Sequence, residues 1–392
     1  MQNYNFEVSE NTLDCGAKIK VIGVGGCGGN MINHLINTYE LSQRVDIVAA
    51  NTDAQDIYKS KAQNKIQLGI KETNGRGAGA KPEVGRKSAE ESIEQIRQTL
   101  EGVELLLLVS GLGGGTGTGA APVIANLAKS MGILVVSVVT MPFKYEGGKK
   151  LALAKEGLKE LKKESDAIIE IHNQKLLEIT SKTAKMHEAM AMVDNILVRA
   201  ISGIITILLT KSDINVDFAD VKTVMEYRGT ALMSYGKGNG ENGISDAYRN
   251  AIETPLLGEL NSSLSGAKGL IVFVKHGVDI AFHAAMETLE EISSSASSDV
   301  MFIPGVTCDE SLAPDEVEMI IIATGFDESR AEEAQRQEEL KKKEEESRIQ
   351  LEQLNAINAN KRVSNGYDIS KKTIDINSFD FETPTYKRMG LD

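Results

Sequence analysis

Ser110-Gly-Leu-Gly-Gly-Gly-Thr-Gly-Thr-Gly-Ala120 is the stretch on which the reading of this chain turns. An apolar run, Val103 to Val109, precedes it and reads as a buried strand; Ala121 to Ser130 follows and reads as a helix with Pro122 in its first turn. Strand, glycine loop and helix together make an anion site. Glycines let the backbone approach a ligand closely, and a helix start offers unpaired N–H groups at the positive end of its dipole. Thr116 and Thr118 add hydroxyl donors. A tight turn needs one or two glycines, whereas Gly111 to Gly119 carries six, so the segment is read as a phosphate cradle.

Outward from that loop, the flanking sequence alternates strands and helices. Lys18 to Val24 is a short apolar strand, followed by Gly23-Val-Gly-Gly-Cys-Gly-Gly-Asn30 and a helix from about Met31 to Asn37. Gly23, Gly25 and Gly28 form G-x-G-x-x-G in the strand-to-helix context that motif requires. Val45 to Ala50, Lys65 to Leu68, Ile133 to Thr140 and Ala167 to Ile171 are further strands. Asn74 to Gly85 is a glycine-rich loop, and Ser88 to Leu100 and Leu151 to Glu164 are helices. Uniformly apolar strands alternating with helices predict a parallel sheet covered on both faces, with ligands at the carboxyl ends of its strands.

Met186 to Leu209 is a long helix, apolar on more than one face, and is expected between layers or domains. Beyond it, helices near Ala219 to Glu226, Ser245 to Glu253 and Ile280 to Ile292, with strands at Gly269 to Lys275, Val300 to Ile303 and Val317 to Ala323, outline a smaller α/β domain; Gly236 to Gly243 reads as a flexible linker. Asp327 to Arg348 is mostly Glu, Lys and Arg and cannot bury a core. Aromatics return at the end, in Phe379, Phe381 and Tyr386, as in a docking peptide on a tether. The expected architecture is α/β: a Rossmann-like parallel-sheet domain over 17–185, a central helix over 186–211 and a smaller C-terminal α/β domain over 212–326. A disordered lead-in (1–16), a disordered charged linker (327–378) and a terminal partner-binding peptide (379–392) flank them.

The 392 residues carry a net charge of −13, which argues against duplex nucleic acid as a partner, because phosphate backbones need a basic face. Cys15, Cys27 and Cys308 are odd in number and widely spaced, so neither a disulfide framework nor a zinc cluster is indicated and a reducing cytoplasm fits. Met1 to Asp14 lacks the regions of a signal peptide. The five histidines show no metal-ligand spacing, and no metal site built from protein ligands is expected.

The first glycine motif alone suggests a dinucleotide-dependent oxidoreductase, with Asp46 or Asp53 on the ribose, but that reading gives the second loop no role. No Walker A ending is present. Two cradles on neighbouring strands suggest one polyphosphate held from two sides. Gly113-Gly-Gly-Thr-Gly-Thr-Gly119 resembles the signature of the tubulin/FtsZ family. Ile19 to Asn30, Asn51-Thr-Asp-Ala-Gln55, Gly77-Ala-Gly-Ala80, Pro82-Glu-Val-Gly-Arg86 and Asn215-Val-Asp-Phe-Ala-Asp-Val221 resemble further segments of its bacterial cell-division branch, in the same order.

That resemblance implies a GTPase that forms head-to-tail homopolymers and builds the cytokinetic ring at mid-cell. Gly26, Cys27, Gly28, Gly29 and Asn30 would contact phosphates and sugar. Gly115, Thr116 and Gly117 would hold the β- and γ-phosphates of GTP, with Gly113, Gly114 and Thr118 also binding the nucleotide. Glu146 and Lys150 would bind the ribose region, the latter in place of the family's usual Arg, and Asn173 and Asp194 would read the guanine edge. Mg²⁺ would neutralise the phosphates. Asp217 and Asp220, three apart at a helix start, suit an N-cap and a first-turn acid. By resemblance they would also act, with Asn215, on the GTP of the adjacent subunit. Glu382-Thr-Pro-Thr-Tyr-Lys-Arg388 would bind division partners, including membrane tethers, so that membrane contact is indirect. A tubulin-like filament for plasmid partition is the competing reading.

Overall fold

A computed structural model describes residues 17–38, 44–174, 186–210, 214, 216–227, 229–253 and 264–326. The lead-in, the charged linker and the terminal peptide with Glu382–Arg388 lie outside the described residues. The elements run β1 (Ile19–Val24), α1 (Gly25–Thr38), β2 (Val45–Asn51), α2 (Ala54–Lys59), β3 (Asn64–Gln67), α3 (Ile70–Thr73), α4 (Pro82–Glu91), α5 (Ile93–Leu100), β4 (Leu105–Gly111), α6 (Thr116–Ser130), β5 (Leu134–Met141), α7 (Gly148–Glu164) and β6 (Ala167–His172). The central helix α8 (Met186–Leu209) follows, then α9 (Phe218–Met225), β7 (Thr230–Asn239), α10 (Gly243–Glu253), β8 (Gly269–His276), α11 (Phe282–Ser295), β9 (Met301–Cys308) and β10 (Glu316–Thr324).

The strands form one sheet in the order β3-β2-β1-β4-β5-β6-β7-β10-β8-β9. From β3 to β6 every pairing is parallel, as the alternating pattern predicts. A short parallel seam, Ile168 opposite Thr230 and Ile169 opposite Ala231, joins β6 to β7. The second lobe is mixed: β10 lies antiparallel to β7 and β8, and β8 is parallel to β9.

Alternation along β4 sorts its side chains into two cores. Leu105, Leu107 and Val109 face α1 and α8, among Met31, Leu35, Ile201 and Ile204. Leu106 and Leu108 face the other way, toward Ile96, Ile124 and Leu161 on α5, α6 and α7. The first of these cores continues into the second lobe through Met233, Phe273 and Ile320, so Val198, Ala200, Ile201, Ile204 and Ile207 of α8 are buried between the lobes, as its apolar composition predicts. A third core lies between the far face of the second-lobe sheet and α10 and α11.

Four local expectations change. The glycine runs are partly helix: α1 begins at Gly25 and α6 at Thr116, because helix starts are what present N–H groups. Pro122 therefore sits inside α6 rather than in its first turn, where it lacks the N–H that would bond back to Thr118. The span read as one helix from Ser88 is two, broken at Ser92, whose hydroxyl accepts from Gly69 N–H at 3.0 Å. Gly236–Gly243 is no linker. Its first half, Gly236 to Asn239, is β7, whose glycines admit α10 against the strand: a Cβ on Gly236 would lie 1.8 Å from the Ala247 carbonyl oxygen.

Candidate functional site

Strands β1 and β4 are neighbours, with Val24 opposite Ser110, so the helices that leave their carboxyl ends start side by side. A Cβ on Gly25 would come within 3.1 Å of Gly117 N and 3.4 Å of Thr116 Cβ. Two helix N-termini, of 14 and 15 residues, thus direct unpaired N–H groups into one place, which suits a polyanion.

The glycines there divide into two kinds. Some are demanded by packing. A Cβ on Gly28 would meet Val109 O at 2.5 Å, one on Gly117 would meet Gly111 O at 2.5 Å, and one on Gly119 would meet Pro82 O at 1.9 Å. Gly115 is pressed from the other side, with Ala78 Cβ and Lys81 N both 2.8 Å from its would-be Cβ. That contact seats the loop at 74–80, where Asn74, Gly75, Gly77, Gly79 and Ala80 all have positive φ. Others face open space: among the described residues nothing lies within 4 Å of a Cβ on Gly29 or Gly114, and only Asp56 Oδ2, at 3.3 Å, lies near one on Gly26. Packing does not explain the open glycines. Backbone left bare beside two helix starts does, because a phosphate can lie directly on it.

The other predicted residues gather around this cradle in part. Asn30 and Cys27 are exposed, and Cys27 Sγ lies 3.6 Å from Thr140 Oγ1. Thr116 Oγ1 is 2.7 Å from Thr52 Oγ1. Thr118 is buried and its hydroxyl accepts from Gly113 N–H at 2.8 Å, so this side chain shapes the loop from behind. Gly113, at φ +96°, packs on Lys150: its would-be Cβ is 2.8 Å from Lys150 Cγ. Lys150 is paired with Glu146, whose Oε1 also accepts from Phe143 N–H at 2.8 Å. The ribose candidates therefore stand beside the cradle, held by the turn at Lys144–Glu146.

Asn173 follows the end of β6, and its neighbour Gln174 accepts from Lys144 N–H at 3.1 Å. Asn173 Oδ1 is buried with no hydrogen-bond partner among the described residues. A buried orphan acceptor is costly, and a base edge that donates hydrogen bonds would satisfy it. Asp194 falls within α8, with its side chain outside the described residues.

Asp217 and Asp220 belong to the other lobe. Asp217 is the N-cap of α9: its Oδ1 accepts from Asp220 N–H at 2.8 Å, and Asp220 Oδ2 accepts from Asp217 N–H at 3.4 Å. Asp217 is exposed and Asp220 half-buried. Ile214 forms a bridge with Val306 of β9, and Val216 is buried against Gly305, so the second lobe holds this loop. Asn215 lies outside the described residues. Helix α8 connects the two places. Its Asn195 bonds His34 of α1 at 2.8 Å, and the helix runs on to Leu209, about 21 Å further. Arg199 lies 4.4 Å over the Tyr235 ring of β7 along the way.

Sequence reasoning passed over Thr52 and the way the 74–80 loop leans on Gly115. The run of glycines at 75, 77 and 79 was the available signal for the second. Thr52 lies in the Asn51–Gln55 segment that carries the resemblance, but nothing in that segment points to its hydroxyl, since a threonine after a strand is unremarkable.

Residues 18–181 match the Tubulin/FtsZ family, GTPase domain, and residues 229–327 match the FtsZ family, C-terminal domain. The chain is 45% identical over 331 residues to the cell division protein FtsZ of two strains of Helicobacter pylori, covering 83% of this chain and 85% of each relative. Among solved structures, the empty FtsZ dimer of M. jannaschii is 38% identical with a TM-score of 0.72, covering 79% of this chain and 88% of that one. CetZ1 of Haloferax volcanii, at 21% identity and a TM-score of 0.67 over 79% of this chain and 94% of that one, shares the fold. With both domains matched in order around a glycine-built phosphate cradle, the chain belongs to the tubulin/FtsZ family of GTPases.

Proposed function

We propose that this chain is a filament-forming GTPase of cell division whose active site is shared between copies. The first lobe binds GTP: N–H groups at the starts of α1 and α6 take the triphosphate, with Gly26 to Asn30 on one side and Gly113 to Gly117 on the other. Glu146 and Lys150 flank the ribose, and Asn173, with Asp194, reads guanine. Asp217 and Asp220 polarise or position the attacking water against the γ-phosphate bound by the next copy, where positioning supplies most of the rate. Mg²⁺ would neutralise phosphate charge. Among the described residues no group of three or more His, Cys, Asp or Glu could hold a metal, so the ion would take its ligands mainly from phosphate oxygens and water.

The observation that carries this reading is the separation of the two halves. The cradle is built on the first lobe and the acids stand on the second, beyond the end of α8. A head-to-tail contact brings one to the other, and such heterologous contacts generate open filaments. The same reading places the filaments in the mid-cell ring, with Glu382–Arg388 binding division partners and membrane tethers. No helix among the described residues is long and apolar enough to cross a membrane, which fits an indirect attachment. Light scattering of the full-length protein with GTP, ATP or GDP and Mg²⁺ tests it. Reversible assembly with GTP alone is expected, and assembly indifferent to the nucleotide refutes the shared site.

A further inference from the structure

We infer that Thr52 is a positioning residue for the γ-phosphate end of the cradle, acting by fixing the direction in which the Thr116 hydroxyl donates. The inference rests on the proposed role of Thr116 as a phosphate ligand. Thr52 is fully buried at the carboxyl end of β2, so its side chain touches no nucleotide directly. Its Oγ1 lies 2.7 Å from Thr116 Oγ1, and either atom can be the donor.

A threonine hydroxyl has one proton to give and two lone pairs to receive with. Phosphate oxygens only accept. With a γ-phosphate in place, the Thr116 proton goes to the phosphate, and the bond between the two threonines must run from Thr52 to Thr116. The two bonds then form a chain ending on an anion, in which each strengthens the other. The Thr116 hydroxyl is taken to reach the γ-phosphate while backbone N–H groups hold the β-phosphate; with GDP bound no acceptor then fixes the Thr116 proton, and the pair can point either way. Thr52 therefore favours GTP over GDP without contacting either.

The backbone holds Thr52 to this role. Its carbonyl accepts from Gly77 N–H at 3.3 Å and from the Thr73 hydroxyl at 3.2 Å, and the next residue, Asp53, caps α2. The hydroxyl cannot follow Thr116 if that side chain swings away. Gly77 also belongs to the 74–80 loop that leans on Gly115, so one buried residue ties that loop to the Thr116 hydroxyl.

The test uses full-length protein below its assembly concentration, with GDP and the slowly hydrolysed analogue GTPγS competing against a fluorescent nucleotide. Thr52→Val keeps the shape and removes the hydroxyl; Thr52→Ser keeps the hydroxyl. Thr52→Val is expected to weaken GTPγS about five- to tenfold, the range of one neutral hydrogen bond, and GDP by less than about twofold. Thr52→Ser should restore the preference. Thr52→Val combined with Thr116→Val should cost no more than Thr116→Val alone, since both break the same chain. Equal losses for the two nucleotides, no rescue by Ser, or additive losses in the double variant overturn the inference. If Thr116→Val discriminates and Thr52→Val does not, the inference alone falls. If Thr116→Val leaves the preference unchanged, the phosphate reading of Thr116 falls with it.

Discussion

Asp217 has two jobs in the proposed scheme, and they can be separated because they need different chemistry. As a cap it needs only a side-chain oxygen that accepts from Asp220 N–H, now at 2.8 Å. As a hydrolytic group it needs a carboxylate. Asn and Ser cap about as well as Asp, whereas Ala loses about 1 kcal/mol. Helix α9 has eight residues and packs Val221, Val224 and Met225 into the core, so that loss is felt by the whole unit. It should lower the melting temperature by no more than about 4 °C. Removing the carboxylate should slow hydrolysis by about 10²-fold or more, and Asp220 alone does not make up for it. The expected order is therefore different in two assays. Melting temperatures should run wild type, Asp217→Asn and Asp217→Ser together, with Asp217→Ala below. Turnover should drop alike in all three variants while each still binds GTP and sediments as polymer. Should Asp217→Ser or Asp217→Asn hydrolyse GTP at the wild-type rate while Asp217→Ala does not, the residue is a cap only and the catalytic assignment is wrong.

Two further expectations concern glycines and acid. Gly119→Ala drives a Cβ into the Pro82 carbonyl, 1.9 Å away, and should destabilise by about 2 kcal/mol or more in denaturant unfolding. Gly29→Ala, inside α1 with nothing within 4 Å, should instead stabilise the nucleotide-free protein by about 0.5–1 kcal/mol while weakening GTP binding; equal behaviour of the two would contradict the division into packed and open glycines. In the second lobe the Lys275 ammonium and the Ser311 hydroxyl hold Asp309 down to about 2 from an ordinary 3.8. Its contribution is present above about pH 4 and lost as pH falls toward 2, because the unfolded chain takes up the proton first. Asp309→Asn should flatten the dependence of unfolding free energy on pH in that window.

The parallel half of the sheet was legible because its strands are buried on both faces: Leu105 to Val109 must be apolar at every position, and that leaves a plain run in the sequence. Helix α8 was legible for a related reason: Val198 to Ile207 lies largely buried between the two lobes, so apolar residues fall on more than one face there. The glycines are only partly legible. Gly236 and Gly238 exist to let α10 close on β7, yet in one dimension a glycine that admits a neighbour looks the same as one that loosens a chain. The same ambiguity hid the helical starts at Gly25 and Thr116, where low intrinsic propensity is overridden by packing. Residues of the cradle could be named from spacing and resemblance; the division of labour within it could not. That Thr118 faces inward while Thr116 faces Thr52 depends on which side of a helix each falls, and on a strand 60-odd residues away.

A cradle on one lobe and acids on the other also set an arithmetic. If each hydrolytic centre is assembled at a junction, a row of n copies owns n − 1 centres, and a solitary copy owns none. One terminus of the row then displays a nucleotide that nothing can cleave, and the opposite terminus displays carboxylates with nothing to act on. The asymmetry of a single chain thereby becomes the polarity of the polymer, and the unmatched nucleotide marks one terminus chemically for as long as that terminus remains bare.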